Sequence, residues 1–219
     1  STINGLSTAS HTLLVYTSSP NGGTEEYPAN DSSSSTFSII VATPLVSALP
    51  VTEDFESTFP STNWTIGNPD ANDTWAKTTT AGGFGTSSSS ALMNNDATND
   101  ITGESDYINS PYIDLSSETA PIKLTFDVAY ARYSGTYFDS LIISANTNCG
   151  DWQRVYANGG SALATAPDNT SSFVPTNAQW RTDTVDLSSY AGSLTRVRFE
   201  NKSGWGQNLY IDNINIFHG

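Results

Sequence analysis

Acidic side chains recur at separated places in this sequence, and their chemistry suits a cation. The run Glu53-Asp-Phe-Glu56 has the alternation of a β-strand. If Phe55 faces a core, Asp54 and Glu56 share the opposite face of that strand. Asp212 lies in the last alternating run of the chain. Since a β-sandwich often pairs its first and last strands, we expect Glu56 and Asp212 to meet at one sheet edge.

A polar turn before a tryptophan supplies further oxygen donors. Asn68-Pro-Asp-Ala-Asn-Asp-Thr-Trp75 places Asp70, Asn72 and Asp73 in one short loop. Calcium takes six to eight oxygens from carboxylates, amides and backbone carbonyls, and this loop contains all three kinds. The twelve-residue EF-hand pattern is absent. The loop therefore indicates a calcium site, while a solvated acidic loop stays an open alternative.

Two further segments combine aromatic with polar residues. Trp205 stands between glycines in Ser203-Gly-Trp-Gly-Gln-Asn208, so we expect it in an exposed turn. Arg132, Tyr133 and Tyr137 lie close together in another loop. Such side chains can stack on a sugar or anchor a protein partner, and we predict that these four residues bind a ligand. The alternative is that the tyrosines pack beneath loops and Trp205 caps the fold.

Catalytic motifs are weak by comparison. The only histidines, His11 and His218, lie near the ends of the sequence, and no zinc-peptidase motif or serine-hydrolase elbow is present. The single cysteine, Cys149, has no nearby base in sequence, and we interpret it as structural. We therefore expect no enzymatic activity in this chain. A carboxylate pair of the glycoside-hydrolase kind stays open, because acidic residues are so numerous.

Short alternating runs predict an all-β sandwich that would position these residues. Helical periodicity is absent over any useful length. Residues 11–16 and 35–41 form a predicted hairpin, and Pro44 to Pro50 reads as a proline-flanked connector. We therefore divide the chain into a hairpin segment, 1–42, and a sandwich domain, 51–219. The strand candidates of the sandwich are 63–66, 74–77, 91–93, 106–109, 112–115, 122–130, 139–144, 153–156, 179–187, 195–200 and 209–217.

Composition narrows the possible partners. The 219 residues include 8 Lys and Arg against 22 Asp and Glu, which gives a formal net charge of −14. Such a charge repels phosphate polyanions and attracts divalent cations, so we expect no nucleic-acid partner. The sequence contains no apolar run of membrane-spanning length, and we expect no membrane insertion. One cysteine excludes an intramolecular disulfide. Ser1 is a poor natural start, so we expect a processed or excised piece.

Residues from about 53 to 217 resemble the cleaved-adhesin family, also called choice-of-anchor J, which is related to MAM domains. The resemblance rests on passages that occur in the family's order. They are Glu53-Asp-Phe-Glu-Ser57, Phe59-Pro-Ser-Thr-Asn-Trp64, Asp70-Ala-Asn-Asp-Thr-Trp75, Asp106-Tyr-Ile-Asn-Ser-Pro111 with Ile113-Asp-Leu115, Phe138-Asp-Ser-Leu141, Trp180-Arg-Thr-Asp-Thr-Val-Asp-Leu-Ser188 and Tyr210-Ile-Asp-Asn-Ile214.

The resemblance implies a galactose-binding-like jelly-roll sandwich. It also implies Ca²⁺ held between the first strand, the Asp-rich turn and the last strand, at Glu56, Asp70 and Asp212, with Asp54 and Asp73 as further ligands. Family members are mostly non-catalytic parts of secreted bacterial proteins, many exported by the type IX route. The sorting domain typical of that route is not seen after Phe217.

These expectations combine into one hypothesis. The chain is a calcium-stabilised adhesion or ligand-binding module of a secreted or cell-surface bacterial protein. Its partners would be a glycan or an extracellular protein, together with other domains of the parent protein. The alternative is a structural accessory domain of a secreted zinc metallopeptidase. Residues 1–42 resemble the closing hairpin of an immunoglobulin-like domain, through Asn4 to Tyr16 and Asn30-Asp-Ser.

Overall fold

The structure is a computed structural model that describes residues 10–16, 32–38, 46–96, 100–147 and 150–219. Cys149 lies outside the described residues. The chain divides into two compact units, Ser1–Pro44 and Leu45–Gly219. In the first unit, β1 (Ser10–Tyr16) pairs antiparallel with β2 (Ser32–Ser38). The sequence predicts such a hairpin with its second strand at 35–41, whereas the described strand begins three residues earlier, at Ser32.

The second unit contains the remaining strands of the described chain. They are β3 (Val46–Ser47), β4 (Val51–Glu53), β5 (Thr65–Gly67), β6 (Ala76–Thr78), β7 (Ser90–Met93), β8 (Ser105–Asn109), β9 (Tyr112–Asp114), β10 (Ile122–Tyr130), β11 (Ser140–Thr147), β12 (Gln153–Gly159), β13 (Arg181–Asp186), β14 (Leu194–Lys202) and β15 (Leu209–His218).

These strands form two sheets. The six-stranded sheet has the order β13-β10-β15-β7-β6, and β4 also pairs with β15. The seven-stranded sheet has the order β12-β11-β14-β8-β5, and β9 joins β14 to β3. The pairs are antiparallel except β3 with β9. The predicted proline-flanked connector therefore contributes a short strand, β3, to the second unit.

The core fills the space between the sheets. Phe126 from one sheet and Phe199 from the other are fully buried and meet edge to face, with ring centroids 5.6 Å apart. Tyr156 packs on Phe126 in the same manner at 5.4 Å. Along β14 and the first half of β10 the buried residues alternate with more exposed ones, as expected for strands that bury one face, whereas the second half of β10 is buried on both faces. The predicted all-β sandwich is confirmed.

Helical structure in the described residues is confined to single 3-10 turns. None of these turns is long and apolar enough to cross a membrane. The turns are Gly160–Ala162, Asn177–Gln179 and Ser188–Tyr190.

β4 pairs with the last strand, β15, as predicted, but it ends at Glu53, so Glu56 lies beyond the strand rather than within it. Glu53 of β4 lies opposite Ile214 of β15. A bulge interrupts β15 at Asn213, whose φ is 46°, and shifts its register with β10. The bulge places both Ile211 and Ile214 in the core, while Asp212 faces away from it. A carboxylate in the middle of this strand thereby faces away from the core.

The outer face of the six-stranded sheet carries a second, smaller apolar cluster. Tyr210 of β15 contacts Phe173 and Trp180 edge to face, each with ring centroids 6.2 Å away. The Tyr210 hydroxyl donates to the Phe173 carbonyl at 2.7 Å. The long stretch 162–178, which the sequence presents as a polar loop, therefore covers part of this sheet with a buried aromatic ring.

Replacing Phe126 by alanine tests the two-sheet core. The change removes a fully buried ring that contacts both sheets, and we expect it to lower the free energy of unfolding by about 3–5 kcal/mol. Phe84→Ala is the matched control, since that ring is 46% exposed, and should change stability by at most about 0.5 kcal/mol. Denaturant unfolding measures both. Equal effects of the two changes would contradict this core assignment.

Candidate functional site

Three connections between the sheets lie at the same end of the sandwich. Leu209, at the start of β15, pairs with Tyr130 at the end of β10 and with Met93 at the end of β7. In the other sheet, the end of β14 pairs with the starts of β8 and β11. The β7–β8, β10–β11 and β14–β15 connections therefore converge, although they are far apart in sequence.

An aromatic cavity lies among these connections. Its volume is about 330 Å³, and it is lined by Asp96, Tyr133, Tyr137, Trp205 and Gly206. The ring centroids of Tyr133 and Tyr137 are 6.2 Å apart, and those of Tyr137 and Trp205 are 6.0 Å apart. Three of the four residues predicted to bind a ligand thus lie together. We call this set of five residues the aromatic pocket.

A buried carboxylate, Asp139, holds the loop that carries Trp205. The backbone N–H groups of Gly204 and Gly206 donate to its Oδ1 at 2.8 and 3.2 Å, and that of Gln207 donates to Oδ2 at 2.9 Å. The Tyr130 hydroxyl donates to Oδ2 at 3.0 Å and accepts from the Asp139 N–H at 2.7 Å. Burial raises the pKa of Asp139, and these donors partly oppose that rise.

The glycines on either side of Trp205 have a steric role. A side chain on Gly204 would collide with the Phe138 carbonyl, and one on Gly206 would collide with the Asp139 carboxylate. Trp205 itself has a φ of 53°, which non-glycine residues rarely adopt, and its side chain is 36% exposed. The hydrogen bonds to Asp139 maintain this strained turn and hold the indole at the pocket. Asp139 belongs to the Phe138-Asp-Ser-Leu141 passage of the family resemblance, but nothing in the sequence assigned it this supporting role.

Arg132, the fourth predicted ligand-binding residue, does not line the pocket. Its guanidinium forms a two-pronged ion pair with Asp168, with Nε 2.8 Å from Oδ1 and Nη2 3.1 Å from Oδ2. The Arg132 carbonyl also accepts the N–H of Asn169. Its contacts therefore attach the 164–180 stretch to the β10–β11 connection. Asp96, which does line the pocket, was not singled out by the sequence.

The structure brings together two of the predicted metal ligands, Glu56 and Asp212. The Ser87 hydroxyl lies 3.0 Å from Glu56 Oε1 and 2.7 Å from Asp212 Oδ2, and hence between the carboxylates. Glu56 also accepts the N–H groups of Ser88 and Ser89 at 2.7 and 2.8 Å. The hydroxyl and N–H of Ser88 are the main cause of a lowered pKa of Glu56, about 2.

Asp212 is fully buried and has its own donors. Gly83 N–H donates to Oδ2 at 2.6 Å, and Asn213 N–H donates to Oδ1 at 2.7 Å. Burial nevertheless raises its pKa to about 6. Asp127 lies directly opposite on β10 and accepts from Phe84 N–H at 3.0 Å and Asn213 Nδ2 at 2.7 Å. Serine, amide and backbone donors thus solvate this group of carboxylates.

The other predicted ligands, Asp70 and Asp73, lie around a different carboxylate, Asp106. Asp106 is fully buried, and neither of its oxygens has a hydrogen-bond partner among the described residues. Burial raises its pKa to about 6, the nearby Thr74 hydroxyl partly opposes that rise, and the charges of Asp70, Glu104 and Asp73 add to it. Glu104 Oε2 and Thr74 Oγ1 are also buried, and neither has a partner at hydrogen-bonding geometry among the described residues.

The acidic residues therefore separate into two groups of different character. Asp54 is exposed and accepts the N–H of Glu56 at 3.1 Å, which places it beside the first group. In neither group of the described chain are three or more His, Cys, Asp or Glu side chains already arranged to coordinate a metal ion. The group around Asp106 leaves buried oxygens without a hydrogen-bond partner of normal geometry among the described residues.

The architecture is a galactose-binding-like jelly-roll sandwich, a class that includes adhesin domains of larger proteins. The K1 cleaved adhesin domain of Lys-gingipain from Porphyromonas gingivalis W83 is 19% identical over 78% of this chain and 98% of that domain, with a TM-score of 0.56. The K3 domain of the same protein is 20% identical over 77% and 98%, with a TM-score of 0.54. At these identities the likeness establishes the fold alone. No protein-family model and no curated protein sequence matches the chain.

Replacing Asp139 by asparagine tests how the Trp205 loop is held. The variant loses one acceptor oxygen for the buried donors at Gly204, Gly206 and Gln207, and we expect about 1–3 kcal/mol of destabilisation. Amide hydrogen exchange at those positions should accelerate. Asp168→Asn, in the more exposed ion pair with Arg132, is the control and should cost at most about 1 kcal/mol. Unchanged exchange in Asp139→Asn would show that other contacts hold the loop.

Proposed function

We propose that this chain is a non-catalytic ligand-binding module of a larger secreted or cell-surface protein and that the aromatic pocket is its binding site. The observation that carries the proposal is the pocket itself. Tyr133 and Tyr137 come from the β10–β11 connection and Trp205 from the β14–β15 connection, and hydrogen bonds to Asp139 hold the turn that carries Trp205. Aromatic side chains on a rigid support lose little conformational freedom on binding, which favours recognition.

The fold is consistent with this role. The similar structures are described as cleaved adhesin domains within Lys-gingipain, so this architecture occurs as a module of a larger protein. Membership of the cleaved-adhesin and MAM-like group, and export by the type IX route, are parts of the same proposal. The ligand would be a glycan or an extracellular protein. The net charge of −14 disfavours polyanionic ligands such as nucleic acid.

A structural accessory domain of a secreted metallopeptidase is the second candidate. It is favoured by the modular occurrence of the fold in Lys-gingipain and by the satisfied carboxylates around Asp212, which stabilise the sandwich without any ligand. Such a domain would need neither an accessible pocket nor Trp205. The two candidates therefore differ in what happens when the pocket is altered.

Screening the intact chain against a glycan array and a panel of extracellular proteins tests the binding role. We expect a ligand whose binding Trp205→Ala reduces by at least about tenfold, because central aromatic contacts carry much of an interface's affinity. Val174→Ala, which alters another exposed apolar residue outside the pocket, should bind normally. Absence of any ligand, or equal binding by both variants, would favour the accessory domain. Circular dichroism confirms that each variant is folded.

We also propose that Ca²⁺ stabilises the sandwich, held by Asp106 and Glu104 with the carboxylates of the Asp70–Asp73 turn. A buried carboxylate without a partner is costly, and a cation would relieve that cost together with the repulsion from Asp70 and Asp73. Asp106 offers two oxygens, Glu104 Oε2 a third and Thr74 Oγ1 a fourth. This set contains only oxygen donors, the kind that calcium prefers.

The first predicted position, at Glu56 and Asp212, has less need of a cation. Both carboxylates accept several hydrogen bonds from Ser87, Ser88 and Gly83. A metal there would have to displace donors that are already in place. Donors are fewer around Asp106: Asn72 donates to Glu104 Oε1 at 3.4 Å and to Asp70 Oδ1 at 3.1 Å, while Asp106 itself accepts no hydrogen bond of normal geometry from the described residues.

Metal addition and removal test the calcium proposal. We expect Ca²⁺ to raise the melting temperature, with about 2.7 kcal/mol of stabilisation when the free ion is about a hundredfold above its dissociation constant. Mg²⁺, which demands a tight octahedral shell, should do much less. Asp106→Asn should abolish the response, whereas Glu56→Gln should keep it. The reverse result would place the ion at Glu56 and Asp212, and no response in the unaltered chain would remove calcium from the proposal.

A further inference from the structure

The rings of the aromatic pocket are arranged as walls rather than as a platform. Tyr137 is nearly perpendicular to both of its neighbours, with interplanar angles of 84° to Tyr133 and 85° to Trp205. An extended saccharide chain stacks best on aromatic ring faces that lie along one plane. Perpendicular rings instead direct their edges and negatively polarised faces in different directions around a small volume. That geometry suits a compact group that several rings can contact.

The Asp96 carboxylate brings a negative charge to the pocket. The Asp96 side chain makes no hydrogen bond or ion pair with any of the described residues. Two cations occur in the connections at this end, but both are engaged: Arg132 pairs with Asp168, and the Lys202 ammonium donates to the Gly103 carbonyl. The formal net charge of −14 adds a field of the same sign. A carboxylate beside aromatic rings attracts a cation by ion pairing and by cation–π interaction together.

We infer that the aromatic pocket binds a basic side chain on the surface of an extracellular protein, with arginine preferred over lysine. The inference rests on the proposed function, because it names the ligand class for the same site. The pocket volume of about 330 Å³ is at the small end of the range for ligand pockets, about 300–1,000 Å³, which fits one side chain.

Arginine fits this arrangement better than lysine for two reasons. Its guanidinium is planar and weakly hydrated, so it can lie against the Trp205 or Tyr133 ring. Its N–H groups can at the same time pair with both oxygens of the Asp96 carboxylate. An ammonium group is a compact, strongly hydrated charge and gains less from a ring face. A neutral sugar could stack on one ring but would gain nothing from the charge of Asp96.

Calorimetric titration of the intact chain with short peptides tests the inference. The probes are blocked tripeptides in which two glycines flank a central arginine, lysine or glutamine. We expect the arginine peptide to bind, the lysine peptide to bind more weakly and the glutamine peptide not to bind. Binding should weaken from low to high salt, because the contact is between charges. Equal heats for all three peptides would show that the peptide backbone is recognised and would overturn the inference.

Two matched variants separate the pocket from the general charge of the chain. Asp96→Asn keeps the shape of the side chain and should weaken arginine-peptide binding by at least about tenfold, because a charged hydrogen-bonded pair is lost. Asp186→Asn makes the same charge change on the exposed edge strand β13 and should leave binding unaltered. Equal losses in both variants would mean that only the overall field attracts the peptide, and no loss in Asp96→Asn would equally overturn the inference.

Failure of this inference is distinguishable from failure of the proposed function. If neutral oligosaccharides bind in a manner that depends on Trp205, and the arginine peptide does not bind, the pocket is a ligand site of another class. The inference then falls, and the proposed function stands. If neither the peptides, the glycan array nor the protein panel gives a ligand, both fall.

Discussion

The pairing of the last strand is the interaction on which the rest of the sandwich depends. β15 forms backbone hydrogen bonds with β10 on one side and with β4 and β7 on the other, so the end of the chain occupies the middle of a sheet. Its inward residues join the core, while the bulge at Asn213 turns the buried Asp212 towards polar hydrogen-bond donors. Its first residue, Leu209, follows directly from the loop that carries Trp205. One strand therefore connects the core, the group of carboxylates and the aromatic pocket.

Three buried carboxylates differ in their structural roles, and the hydrogen-bond donors around each carboxylate determine its role. Asp139 is surrounded by backbone N–H groups and a tyrosine hydroxyl, so it organises a loop. Asp212 shares serine and backbone donors with Glu56 and fixes the first strand beside the last. Asp106 is buried and accepts no hydrogen bond of normal geometry from the described residues. Because an unsolvated charge is costly, the same residue type is structural in the first two places, and the third is where we propose a cation.

The aromatic pocket lies at one end of the sandwich rather than on the outer face of a sheet. The outer face of the six-stranded sheet is partly covered by the 164–180 stretch, with Phe173 and Trp180 packed on Tyr210. The converging connections at the sandwich end instead hold three aromatic rings around an accessible cavity. Loops are free to diverge in sequence, whereas the strands beneath them are constrained by packing, so a site at this end can change its ligand without changing the fold.

Local pattern was sufficient for the fold class, and tertiary structure decided the sites. Two-residue alternation predicts the strands. A common rule of strand order predicts the pairing of β4 with β15, and the flanking glycines predict the exposure of Trp205. Proximity between distant loops has no such local signal. The sequence could not show that Asp70 and Asp73 lie beside Asp106 rather than Glu56, that Arg132 pairs with Asp168, or that Asp139 supports Trp205. Those contacts join residues on different connections, and only the packing of two complete sheets brings them within reach.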